Sequence, residues 1–507
     1  MDILGRLTSQ RRNVAITAVL IVALAMGVRF LNIGWAFSTN GIDEGIMLER
    51  AHLVASGYEP YKSLPLDQAP LALLIGGDIW GNVEVLRVFV AAVSVLAVVA
   101  CMESARRIRG NAAMLITGAL IAVDFAFLRE SRLFSLNSLS SSVMAVSILL
   151  FVLYVQKNSR LALVSAGVLV GVAASMKLFG VLGFVGMAIF LGFELMRPSL
   201  TRRKGGTDLV LLSVSAALPV IMLMLYLGPS QMLEGMVFNQ GHRPFEPVQK
   251  LSFLPYFGTN LAYMLPLFVG FRRLWKSGPE LRFLLWLTVA VVVFMLAQPL
   301  MYYHHLVMLS PALSILAGVF VVDLLEHRKE RENRGRLNHG GKRGLTVVGL
   351  SEAAVVAGLL ISAGLAGYGL ATQGTPTQQL AADKIAAITG PNDLIVSGDP
   401  IISAYADRLT PPSLVNVAYS RYPDLSLEEV ESGILDNNVK VVVLAYRLNS
   451  MQGLEEFLAT HGFSEVSRDY FGYGDGTAIY TFNRAIEPFS FYVRDDIVSA
   501  FGLPVAP

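Results

Sequence analysis

Charge is scarce in this chain. Of 507 residues only 15% are Asp, Glu, Lys or Arg, against roughly a quarter in a soluble globular protein, while 54% are hydrophobic. That balance excludes an ordinary soluble enzyme and fits an integral membrane protein. The formal net charge of +2 is too small to attract nucleic acid, and the basic residues fall in short clusters between apolar runs, the pattern that sets membrane orientation. The single cysteine, Cys101, sits inside an apolar run, so no intramolecular disulfide or cysteine-based metal site can form. GxGxxG and P-loop motifs are missing, which leaves nucleotide binding without support. Internal repeats and long low-complexity tracts are missing too. The N-terminus starts basic, as a signal peptide does, but its apolar segment exceeds the roughly 15 residues of such peptides and no small-residue cleavage site follows, so it reads as a retained first span.

A span needs about 20 mostly apolar residues in a helix. Eleven segments qualify, near residues 14–36, 83–104, 112–128, 138–156, 161–176, 179–196, 208–227, 257–271, 281–300, 306–325 and 345–371. Threading them alternately with the N-terminus inside puts the basic clusters, including Arg106 to Arg109, Arg202 to Lys204 and the long run at 327–343, on the cytoplasmic side, as the positive-inside rule requires. The outer face then receives the 37–82 loop, the turn at Arg129, the 228–256 loop, the turn Met301-Tyr302-Tyr303-His304-His305 and everything after residue 371. Arg29, Arg87, Asp124 and Lys177 fall in the outward thirds of their spans. A charge at the bilayer centre costs about 2.5 to 3.5 kcal/mol even on the lenient scale, so these four are expected to face a wet outer cavity, with snorkelling as the alternative for the long ones.

From about Thr372 the composition changes. Strand-like runs at 393–398, 413–418, 440–446 and 478–482 alternate with helical patterns, which predicts a small α/β domain with a mainly parallel sheet over 372–507. The fold expectation is therefore a polytopic helical membrane domain over 1–371 and a soluble α/β domain on the outer face.

The first outer loop holds the most distinctive polar segment, NGIDEGIMLERAHLVASGYEPYKSLPLDQAPL at 40–71. Asp43 to Val54 reads as an amphipathic helix lying on the membrane, with Leu48, Glu49 and His52 opposite the apolar side. Pro60, Pro65 and Pro70 then make a stiff extended coil. Adjacent carboxylates at Asp43 and Glu44 suit a general base or a cation ligand, and equally a helix cap favoured by the helix dipole.

The Asp43-Glu44 pair after the first span, followed by Gly57-Tyr58-Glu59-Pro60-Tyr61 and Gln68-Ala69-Pro70-Leu71, resembles the first outer loop of GT-C glycosyltransferases. The branch it is most similar to contains the protein O-mannosyltransferases and the lipid A aminoarabinose transferase. The resemblance implies a catalytic carboxylate at Asp43 with Glu44 beside it, and a polyprenyl-phosphate-linked sugar as donor. The turn Arg129-Glu130-Ser131-Arg132 resembles the family's second outer loop, with Asn137 standing where an acid is expected. The segment from Tyr302 to Pro311 resembles the start of a late span, and Asn239 to Pro244 a His/Arg loop segment. The Asp399 and Asp407 segments resemble the outer domain of prokaryotic relatives.

These resemblances imply a donor phosphate held among Lys62, Arg132, Arg243, His304 and His305, and an acceptor or cavity lining of Tyr61, Asp124, Asn137 and Tyr303. Neighbouring helix residues point about 100° apart, so His304 and His305 are not expected to share a metal; no metal ligands are assigned, no cofactor is demanded, and a divalent cation stays open. The implied function is transfer of a hexose such as mannose, with inversion, to a hydroxyl on a protein, glycolipid or glycan at the outer face of a plasma membrane. The alternative is a transporter or flippase of a lipid-linked or polar solute.

Overall fold

The computed structural model describes residues 2–35, 37, 41–195, 202–238, 245–335, 347–415, 425–473, 479–481, 484–486 and 489–506. The helices of its first part are α1 (Asp2–Phe30), α2 (Gly41–Ala55), α3 (Leu71–Asp78), α4 (Val83–Arg109), α5 (Asn111–Val123), α6 (Phe125–Glu130), α7 (Leu136–Lys157), α8 (Arg160–Met176), α9 (Val181–Leu195) and α10 (Arg202–Leu227). There follow α11 (Pro229–Leu233), α12 (Phe253–Thr259), α13 (Leu261–Ser277), α14 (Pro279–Ala297), α15 (Ser310–Gly335) and α16 (Val347–Ala371). Among the described residues, seven helices are long and apolar enough to cross a membrane, and three shorter apolar ones join them. The chain is a multi-pass membrane protein.

Local sequence sets the breaks. Asn82 accepts a hydrogen bond from the Val85 N–H at 3.0 Å and starts α4, while Ser135 and Ser159 cap α7 and α8 in the same way, each satisfying one of the orphan donors of a first turn. The predicted span at 112–128 is divided at Asp124, whose carboxylate accepts from the Phe127 N–H at 3.1 Å and so starts the short α6. The predicted span at 257–271 is likewise divided, at Asn260, and its second helix runs on to Ser277. The 37–82 loop contains α3, which was not expected; Pro70 precedes its first turn.

The segment Tyr303–Glu326 is the centre of the bundle: 94% of its most apolar window is buried, against 11% for α1 and α10 on the periphery. Close approach makes this possible. A Cβ at Gly318 would lie 2.0 Å from Thr117 Oγ1, so only glycine lets α15 cross α5 here.

After α16 come α17 (Thr377–Ile388), β1 (Ile395–Ser397), α18 (Pro400–Ala406), α19 (Leu427–Asp436), β2 (Val441–Leu444), α20 (Tyr446–Asn449), α21 (Leu454–Thr460) and β3 (Phe463–Val466). The chain closes with β4 (Ile479–Thr481), β5 (Arg484–Ile486), β6 (Ser490–Arg494) and α22 (Asp495–Phe501). The four-stranded sheet runs β1-β2-β6-β3, and β4 and β5 form a separate pair. Only β1 and β2 are parallel; β6 runs antiparallel to both its neighbours. The mainly parallel sheet expected from strand and helix alternation is thus corrected: the late strand β6 inserts between β2 and β3, which alternation along the chain does not encode. Of the expected strand at 413–418, residues 412–414 are a 3-10 turn and 416–418 lie outside the described residues. Alternate β2 side chains serve two cores, Val441 and Val443 packing with α17, and Val442 and Leu444 with α19 and α21.

This unit packs on α2. The α2 face expected to meet water is enclosed, with Leu48 and Arg50 fully buried and Glu49 nearly so. Arg87 donates to the Tyr405 hydroxyl at 3.0 Å, Thr410 donates to Glu49, and His52 lies 3.4 Å from Asp407. A Cβ at Gly45 would sit 2.4 Å from the Ile401 backbone nitrogen, so the two backbones touch where a side chain would separate them.

Candidate active site

Asp43 occupies the first turn of α2 and remains half-exposed at 46%, directly before the buried stretch at 44–51. Its Oδ2 is 3.4 Å from His304 Nε2. Residues 261 places apart in the chain are thus joined, because the 3-10 turn Tyr303–Leu309 opens the central helix at the level of α2. His304 is buried, stacked against Tyr302 at 5.5 Å and edge-on to His305 at 4.5 Å. His305 packs edge-on against Phe179 at 4.9 Å, and its Nδ1 accepts from the Tyr302 N–H at 3.4 Å. One histidine meets the carboxylate and the other packs.

The charges acting on His304 are Asp43 and Glu130 on one side, and Lys177 and Arg129 on the other. Glu130 is buried, held by the Ser135 hydroxyl through Oε2, while its Oε1 has no hydrogen-bond partner. Arg129 is buried with its guanidinium 5.9 Å from the Tyr303 ring centroid, and Lys177 is buried over Phe179 at 5.2 Å. Lys177 sits here because α8 ends at it in extended conformation before the 3-10 turn Leu178–Gly180.

Several expected site residues are committed elsewhere. Glu44 forms a buried ion pair with Arg87, both contacts at 2.7 Å, and accepts from the Phe134 N–H at 2.9 Å; a bidentate, desolvated carboxylate is poorly placed to take a substrate proton. Arg132 donates to the carbonyls of Val28, Arg29, Leu31 and Asn32 at 2.7 to 3.2 Å, closing the C-terminal end of α1. Arg129, three residues earlier, is the cation of that turn that lies over Tyr303 and acts electrostatically on His304. Lys62 is exposed and pairs with Glu59 at 2.7 Å. Tyr61 donates to the Gln68 carbonyl across its own loop. Arg243 lies outside the described residues, with the whole Asn239 to Pro244 segment.

Tyr303 shares a 2.9 Å hydrogen bond with Thr259. Asp124 is fully buried as a helix cap, and Asn137 is buried with its Oδ1 unpartnered. Of the four ionisable residues expected to line a wet cavity, Lys177 reaches the site. Arg29 is buried and donates to Ser94 and to the carbonyls of Ala25, Ala122 and Ile121, and Arg87 is taken by Glu44. A further carboxylate acting on His304, Glu130, was singled out by no spacing rule; its only signal was its position between two arginines in a short turn. Among the described residues no three His, Cys, Asp or Glu side chains converge as metal ligands.

The helical membrane bundle has the fold of the GT-C glycosyltransferases. Residues 69–223 match the dolichyl-phosphate-mannose-protein mannosyltransferase family; the matched stretch begins after Asp43 and includes Arg129, Glu130 and Lys177. The structure is similar to ArnT from Cupriavidus metallidurans bound to undecaprenyl phosphate, with TM-score 0.63 and 16% identity over 94% of this chain and 97% of that one. It is also similar to the oligosaccharyltransferase AglB from Archaeoglobus fulgidus, solved with an inhibitory peptide and a dolichol-phosphate, with TM-score 0.57 and 15% identity over 92% of this chain and 74% of that one. No curated protein sequence is detectably similar.

Proposed function

We propose that this protein is a glycosyltransferase that moves a monosaccharide from a polyprenyl-phosphate carrier to an acceptor hydroxyl, with Asp43 as general base. The observation that carries the reading is the juxtaposition of a half-exposed Asp43 with His304, 3.4 Å apart, with the cations Arg129 and Lys177 in electrostatic reach of His304. His304 orients the Asp43 carboxylate. Asp43 takes the proton of the acceptor hydroxyl as its oxygen bonds to the anomeric carbon, and the bond from that carbon to the phosphate oxygen breaks on the opposite face. The bonding pair leaves with the lipid phosphate, and anomeric configuration inverts. Arg129 and Lys177 stabilise the charge that the departing phosphate gains.

Structurally similar proteins solved with undecaprenyl phosphate and dolichol-phosphate support the donor class, and the matched family's description supports mannose as the sugar. The basic clusters favour an N-terminus in the cytoplasm, with Asp43 and residues 372–507 outside a plasma membrane. The fold likeness weighs for transfer and against the transporter alternative.

The purified protein is incubated with radiolabelled undecaprenyl-phosphate mannose and a membrane extract. The wild type should transfer label and Asp43→Asn should lose about 100-fold or more, the scale of a positioned base. Equal transfer by the two removes Asp43 from the chemistry, and solute uptake by vesicles without transfer restores the transporter.

A further inference from the structure

The C-terminal unit brings its own residues to Asp43. β1 and β2 are parallel neighbours, and in open α/β sheets the loops beyond the carboxyl ends of such strands are where ligands bind. Here those loops carry Asp399 and Tyr446. They are locked together: the Gly398 N–H donates to the Val443 carbonyl at 2.9 Å, and a Cβ at Gly398 would lie 2.1 Å from the Ala445 carbonyl oxygen. The first loop also touches α2, because Ile401 lies against Gly45, two residues from Asp43. The 398–399 loop and the start of α18 therefore link Gly45, two residues from Asp43, to the 445–446 loop.

Tyr446 stands out within it. Its φ of 48° is left-handed, a conformation that costs a bulky residue on the order of 1 kcal/mol or more and collects at functional sites. It is only partly buried, with its ring 6.3 Å from Phe489. Behind it Asp399 is fully buried with Oδ1 unpartnered, and the buried Tyr473 hydroxyl is unpartnered as well. Burial first, then the carboxylates of Asp399 and Asp43, hold the Tyr446 phenol above its ordinary range, so it stays an O–H donor.

We propose that Tyr446 contacts the acceptor, forming with Asp43 the two sides between which a hydroxyl-bearing acceptor is held, its phenol donating to an oxygen beside the hydroxyl that Asp43 deprotonates. The inference rests on the transferase reading and extends it: the bundle holds the donor, and the sheet unit supplies part of the acceptor site.

The test uses the full chain, radiolabelled undecaprenyl-phosphate mannose and serial dilutions of membrane extract. In Tyr446→Phe the extract concentration for half-maximal transfer should rise about threefold to tenfold, as for one lost hydrogen bond, with donor half-saturation and melting temperature unchanged. Tyr446→Gly relieves the left-handed backbone, which partly offsets the loss of the ring's packing on Phe489, and should lose acceptor affinity further. Unchanged acceptor saturation in both variants overturns the proposal, as does a shift in donor half-saturation instead. If the wild type transfers and Asp43→Asn does not, that failure belongs to Tyr446 alone; if the wild type transfers nothing, the transferase reading and this inference fall together.

Discussion

Glu49 offers a quantitative test of how the sheet unit sits on α2. It is buried at 3% exposure, accepts from Thr410, and is pushed up from 4.5 to about 8, chiefly by burial against the opposing pull of the Thr410 hydrogen bond and Arg50. When the unit undocks, Glu49 meets water and returns to an ordinary carboxyl. Between pH 4.5 and 8 the docked state then holds one more proton than the undocked state, so docking weakens as pH rises through that window and levels off above it. A separation of 4.5 to about 8, at about 1.4 kcal/mol per unit, gives at most about 5 kcal/mol of lost docking energy above pH 8, and about 3 kcal/mol at pH 7. Glu49→Gln keeps an acceptor for the Thr410 hydroxyl and cannot ionise. In detergent, followed by intrinsic fluorescence from pH 5 to 8.5, the variant should melt with the wild type at pH 5 and progressively above it toward pH 8. His52 titrates at the same junction, lowered by burial with Asp407 opposing, but it is common to both proteins and cancels from the difference. Parallel melting curves at every pH would refute the buried, protonated Glu49.

Arg129→Gln should raise donor half-saturation about tenfold or more with little change in melting, whereas Arg132→Gln should leave donor half-saturation alone and cost about 2 to 4 kcal/mol, from four carbonyls losing charged donors; steady-state kinetics and melting on both variants check the pair. Glu44→Ala strands a buried Arg87 and should cost about 3 to 5 kcal/mol, seen as a lower melting temperature. Gly45→Ala drives a methyl group into the Ile401 backbone at 2.4 Å and should cost about 1 to 3 kcal/mol while slowing transfer, because Asp43 moves with its helix.

Composition and charge placement by themselves determined that this is a multi-pass helical protein, where its apolar helices run, and that a carboxylate begins the first amphipathic segment. Those properties are local: an apolar run is legible at about 20 residues and a cap within four. The choice among equivalent side chains was not local. Asp43 and Glu44 are adjacent and alike, yet one is half-exposed beside His304 and the other is locked to Arg87. Arg129 and Arg132 are three residues apart, yet one lies over Tyr303 and acts on His304 while the other closes α1. Such assignments depend on which distant element fills the space opposite each side chain, and neighbours on a helix point about 100° apart. The same holds for the sheet, whose order depends on β6 returning between β2 and β3, and for α2, whose polar face reads as wet until residues 399–410 are seen to cover it. Tyr446 has no motif around it. Its place near Asp43 arises only when two strand ends, a glycine contact and a left-handed turn coincide in space.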